Sequence, residues 1–329
     1  MKTMKWLLLR EYWEHKGAFL WAPLAVALVM LTFVGGTVAY ALATHSVTTT
    51  GFFNGQTLQS GGLDHAMPLA VQIQMTGMLA NTYLAAAVPL LTILPVVVFF
   101  YCLAALYDDR RDRSILFWKS LPLSDHMTVL SKVLTAVVVA PLLTLAIGTV
   151  ASLVMILIGL AAAGLNGLHL FRLMLVNPDF WLAPLRLVGL MPVYLLWALP
   201  TVGWLLMVSA WARSKVFLWA VGVPLLSVVL VKWANFILVE YLDGGLDVHW
   251  FVINVVVRGL GGLVPGIWLP FSLKSPQSLM ANAQHMVSPA NIFNESWMTL
   301  TQPDVWVGAL VGGAMIFVAM RLRRWRDEA

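Results

Sequence analysis

Charge is what this 329-residue chain has least of. Lys, Arg, Asp and Glu together make up 11% of it, against about 25% in a soluble domain. A soluble fold of this length would lack the polar side chains to cover its surface, and 60% of the residues are hydrophobic instead. Cysteine is almost absent. Cys102 stands alone, which excludes an intramolecular disulfide and a cysteine metal cluster, and its place in an apolar run marks an inert buried thiol. No Gly-x-x-x-x-Gly-Lys-Ser/Thr loop is present, so the chain has no evident means of binding ATP itself. There is no His-Glu-x-x-His, and the histidines at 15, 45, 65, 126, 169, 249 and 285 do not pair at ligand spacing. No Gly-x-Ser-x-Gly elbow appears. The apolar runs contain no mid-depth carboxylate of the kind an ion or proton relay uses. A self-contained enzyme or ion-coupled carrier is disfavoured.

What the chain does have is apolar runs near or above the roughly 20 residues needed to cross a bilayer. They fall at about 19–43, 85–107, 127–161, 185–211, 216–240 and 305–321. Spanning segments must satisfy their own backbone groups, so they read as helices. The expected fold is an all-α polytopic membrane protein with six transmembrane helices in a single transmembrane domain, 1–329. Lys2, Lys5, Arg10 and Lys16 precede the first run, and Arg110, Arg111, Arg113 and Lys119 lie between the second and third. Arg213 and Lys215 separate the fourth and fifth, and Arg321, Arg323, Arg324 and Arg326 close the chain. The alternate connections are poor in basic residues. An excess of Lys and Arg marks the cytoplasmic side, so both termini are expected in the cytoplasm. The net charge of +5 therefore belongs to membrane orientation, and no nucleic-acid partner is implied.

Residues 1–18 mix Trp6, Leu9 and Trp13, at helical spacing, with Lys5, Arg10 and Lys16. That composition suits an interfacial helix on the inner leaflet, with a disordered basic lead-in as the alternative. Segment 241–304 is assigned to the outer side. Its apolar part, 249–270, is broken by Gly259, Gly261, Gly262 and Pro265 and is expected to be re-entrant or interfacial rather than a seventh span. Thr44–Gln74 reads as a flexible outer loop, and Asn166–Arg186 as an interfacial element. Trp250, Trp268 and Trp297 fit an outer aromatic belt. Lys132 and Lys232 lie inside spans, each within snorkelling distance of an interface.

The densest charge sits at 108–126, between the second and third runs. Asp108-Asp-Arg-Arg-Asp-Arg113 is followed by Ser114-Ile-Leu-Phe-Trp-Lys-Ser-Leu121 and then Pro122, with Ser124 or Asp125 available to cap the next helix. Ile115, Leu116, Phe117, Trp118 and Leu121 form a hydrophobic side with Lys119 opposite. Such a helix can rest on lipid or insert into a groove on a partner.

The block Tyr107–Asp125, with its charge cluster and its Ser114-…-Phe117-Trp118-…-Leu121-Pro122-Leu123-Ser124 run, resembles the first cytoplasmic loop of ABC-2-type transporter permeases. The resemblance extends to the six-span plan, the interfacial helix before span one and the extended outer segment before span six. The long outer connection Thr44–Tyr83 departs from it. The resemblance implies a permease subunit of an ATP-driven exporter in a bacterial inner membrane, pairing with an ABC ATPase subunit that holds ATP and magnesium, usually as two permeases, identical or different, and two ATPases. The chain itself would then be no enzyme and carry no cofactor. In that family the loop helix docks on the ATPase; carried over, the contacts are Arg113, Ile115, Leu116, Phe117, Trp118 and Leu121, with Arg110 and Arg111 as polar contacts. The alternative is a membrane subunit that conveys force or signal from an ATPase without moving cargo.

Overall fold

The computed structural model describes residues 2–44, 69–112, 124–168, 170–242, 244–272 and 289–325. Among them no strand forms, and six helices are long and apolar enough to cross a membrane. Helix α1 (Lys2–Glu14) leads through a π turn at Gly17–Trp21 into α2 (Ala22–Ala43). A second π turn, Thr135–Val139, joins α5 (Asp125–Leu134) to α6 (Ala140–Leu165). Each π turn lies just before a proline, Pro23 or Pro141. The proline ring cannot donate and crowds the carbonyl four residues back, so widening the preceding turn lets an apolar helix continue.

Helix α3 (Leu69–Ala105) is 37 residues long. The flexible loop expected over Thr44–Gln74 is therefore corrected at its end: Leu69–Gln74 are already helical. Further along, α3 lies along α6, with the Leu79 side chain against Gly159 and Ser152 donating to the Tyr83 carbonyl. After α4 (Tyr107–Arg111), Ser124 caps α5 by accepting from Met127 N–H.

Helices α7 (Phe171–Val176) and α8 (Pro178–Gly189) then lead into α9 (Met191–Trp211). Next come α10 (Val216–Leu242), the short α11 (Val248–Gly261) with its own π stretch, α12 (Leu269–Ser272), α13 (Pro289–Met298) and α14 (Pro303–Trp325).

Helix α9 is the hub. In the α8–α9 rod 72% of the most apolar stretch is buried within the protein, against 11% for α10. Its main neighbour is α14. A Cβ on Gly203 would lie 2.5 Å from the Gly312 carbonyl oxygen, and one on Gly312 would lie 2.5 Å from the Leu199 carbonyl carbon. Gly308 and Gly312 form a Gly-x-x-x-Gly pair, the small-residue pattern that lets membrane helices touch backbone to backbone. Around this crossing Phe19, Val98, Val129, Val202, Leu205 and Ala319 form the main core. Outside it, Phe33, Leu226, Val229, Phe236 and Leu310 are exposed, an apolar surface suited to lipid and far beyond what a soluble monomer presents. The chain is a membrane protein.

Candidate functional site

One end of the bundle holds a cluster of buried ions. Leu7 and Glu11, one turn apart on α1, are both buried against the start of the third membrane helix, while Trp6 and Trp13 stay 70% and 62% exposed. Glu11 accepts from the Tyr101 hydroxyl at 2.8 Å and faces Lys132 Nζ at 3.2 Å. Lys132 Nζ is also 3.6 Å from Asp109 Oδ2. Asp109 is held by Arg323 Nη1 at 3.0 Å, and Arg323 Nε lies 3.4 Å from Asp125 Oδ1. The sequence Tyr101–Glu11–Lys132–Asp109–Arg323–Asp125 thus links α1, α3, α4, α5 and α14.

The snorkelling expected of Lys132 does not occur: its side chain is 2% exposed. Helix α1 lies across the path to water, and the ammonium takes two carboxylates in its place. Lys232, by contrast, is exposed. Ions taken out of water need such partners, because an unpaired one costs several kcal/mol.

Beside this node the chain breaks between α3 and α4. Ser209 of α9 repairs the break, donating to the Leu103 carbonyl at 2.7 Å and accepting from Leu106 N–H at 3.1 Å and Tyr107 N–H at 3.0 Å. Arg110 turns inward, its Nη2 donating to the carbonyls of Ser209 at 2.5 Å and Ala212 at 3.0 Å. It thereby caps the end of α9, where orphan carbonyls and the helix dipole both favour a cation.

Of the docking residues expected from sequence, Arg110 is therefore engaged by α9 and Arg111 is exposed. Arg113, Ile115, Leu116, Phe117, Trp118 and Leu121 lie outside the described residues. Sequence reasoning missed Glu11, Asp109 and Arg323 as a unit. The available signal was Lys132, a cation inside an apolar run, which calls for a carboxylate partner from another helix.

The arrangement ties together the two ends of a loop. Asp109 precedes segment 113–123 and Asp125 follows it. One side chain, Arg323, grips both stems. Among the described residues, Glu11, Glu14 and His15 bring potential metal ligands within 4.8 Å of one another. Glu11 is already taken by Lys132 and Tyr101, and Glu14 pairs with Arg10 at 2.8 Å. His15 Nδ1 faces the Glu11 carbonyl. An ion there would have to dismantle the node.

At the far end of the bundle, α11 wedges against α9 and α14. Thr201 donates to the Arg258 carbonyl at 3.3 Å and accepts from Gly262 N–H at 3.1 Å. Trp268, expected in an exposed belt with Trp250 and Trp297, is instead 2% exposed and donates to Ser296 at 2.7 Å. It packs beside Trp197, whose neighbour is Phe271. Comparison of the chain with family models, curated proteins and solved structures finds no match.

Proposed function

We propose that the chain is the permease subunit of an ATP-driven ABC-type exporter, with ATP and magnesium held on separate ATPase subunits. The single observation that carries this is the Arg323 grip on both stems of segment 113–123. A push on that segment from outside the membrane reaches the first helix through Lys132 and Glu11, and α9 through Ser209 and Arg110. A loop that merely joined two spans would need no buried ionic link to the first and last helices.

The basic-flanked helix ends gather at the node end: Lys5 and Arg10 on α1, Arg110 and Arg111 on α4, Arg321 and Arg323 on α14. The positive-inside tendency puts that end in the cytoplasm. The exposed face of α1, with Trp6, Trp13 and Lys5, suits the inner interface of the membrane. The short α11, turning back after Gly261, suits a re-entrant segment from the outer side. Because α9 and the core fill the middle of one copy, a pathway between two copies fits best, in a complex of two permeases and two ATPases. The same packed interior also fits a subunit that passes force onward without moving cargo.

The test is the double variant Phe117→Asp/Trp118→Asp, made in the native host. Co-purification of an ATPase with the wild-type chain is expected to be lost in the variant, along with ATP-dependent function. An unaltered ATPase yield and unaltered function would refute ATPase docking through segment 113–123. ATP-driven uptake into vesicles carrying the intact complex separates an exporter from a force-transmitting subunit.

A further inference from the structure

A cavity of about 380 Å³ lies at the far end, between α9, α10, α11 and α14. Its walls are apolar, with Pro200, Trp204, Val223, Val255, Val307 and Val311 prominent among them. Helices α10 and α14 flank it without packing on each other to any extent, so it opens sideways between two surfaces whose outer residues, Leu226 and Leu310, are exposed. Into this apolar space projects a permanent cation. Arg258 is only 8% exposed, and its guanidinium carbon stands 4.4 Å from the Trp197 ring centre.

Neutralisation of this cation is incomplete. Arg258 Nη2 donates to the Asp304 carbonyl at 2.6 Å, while buried Nε has no hydrogen-bond partner. Among the described residues no carboxylate forms an ion pair with it. Asp304 is exposed; its backbone carbonyl accepts from Arg258, and its carboxylate attracts the guanidinium from a distance without forming an ion pair. Gly308 makes the room, since a Cβ there would come within 3.1 Å of Nη2. The cation also sits beside the first turn of α14, the positive end of a helix dipole. A guanidinium stacked on an aromatic ring with one donor nitrogen unpartnered is an arrangement that takes carboxylate or phosphate.

We propose that this cavity binds a single-chain anionic amphiphile, its carboxylate or phosphate on Arg258 and its alkyl chain along Val255, Val307 and Val311. The volume is at the low end of the roughly 300–1,000 Å³ of small-ligand sites, which suits one chain better than two. The sideways opening lets the ligand arrive from the bilayer. The site does not depend on the ATPase reading and is tested on the chain alone.

The full-length protein is placed in phosphatidylcholine nanodiscs and photolabelled with a diazirine-bearing dodecanoate. Saturable adducts are expected on the peptides carrying residues 250–260 and 304–311, suppressed by unlabelled dodecanoate or dodecyl phosphate. Arg258→Gln should weaken labelling by about tenfold, the size of one charge-assisted hydrogen bond. Arg258→Lys should keep more labelling than Arg258→Gln, and Lys232→Gln should leave it unchanged. Val307→Trp fills the cavity while retaining the cation and should also abolish labelling; it decides the matter if Arg258→Gln does not fold. Absence of saturable adducts in the wild-type protein, or full labelling in Arg258→Gln or Val307→Trp, overturns the proposal. So does competition by dodecyltrimethylammonium equal to that of dodecanoate. Displacement by inorganic phosphate as effective as by dodecyl phosphate would mark a simple anion site and overturn the amphiphile.

Discussion

Lys132 shows how one residue can be read correctly for cost and wrongly for remedy. A cation in an apolar run is expensive, and the local remedy is to bend its stem toward water. The remedy in the folded chain is a carboxylate on either side, Glu11 at 3.2 Å and Asp109 at 3.6 Å. Replacing it by Met leaves those acids buried without their ammonium, and the expected loss is about 3–5 kcal/mol. Thermal unfolding in detergent should show a clear fall in midpoint for Lys132→Met. The double variant Lys132→Met/Glu11→Gln should regain a large part of it, because the uncompensated charge is gone. A double variant no more stable than the single one would mean that Glu11 and Lys132 are not energetically coupled.

Between elements, the decisive feature is the α9–α14 crossing, where two backbones meet at Gly203 and Gly312. Any side chain on Gly312 runs into the Leu199–Pro200 backbone, and backbone cannot move aside as a flexible side chain can. Gly312→Val is expected to cost about 1–3 kcal/mol or more and to lower the yield of monodisperse protein. Gly313→Val is the control, since nothing lies within 4 Å of a Cβ there, and its elution profile and midpoint should match wild type. Equal behaviour of the two variants would argue against the crossing. The Gly308–Gly312 spacing is visible in the sequence, but which helix it receives is not: glycine spacing states that something comes close, and only the packed bundle supplies α9.

At the scale of the whole molecule, the node gathers α1, α4 and the end of α14, while α11 to α13 lie at the opposite end. Cys102 is buried, so a Cys102→Ala background carrying single cysteines reports sidedness. Trp6→Cys is expected to react with an impermeant maleimide only from the cytoplasmic side, and Thr301→Cys only from outside. Labelling of both from one side would overturn the six-span topology with α11 as a non-spanning segment.

The amino-acid sequence by itself determined the membrane class, the six long helices and the ends that carry basic residues. Hydrocarbon acts on each segment separately, demanding length, apolarity and a satisfied backbone whatever the neighbours are. A cap for α5 at Ser124 or Asp125 was legible for the same local reason, and Ser124 is the one that caps it. The tertiary structure alone decided the partners: Arg323 and Asp109 meet across 214 positions of chain, and Tyr101 meets Glu11 across 90. It also decided that Arg110 serves α9, that Trp268 is core, and that Arg258 faces a cavity. Burying a charge or a ring is a matter of which surfaces close over it, and no local pattern in the chain carries that information.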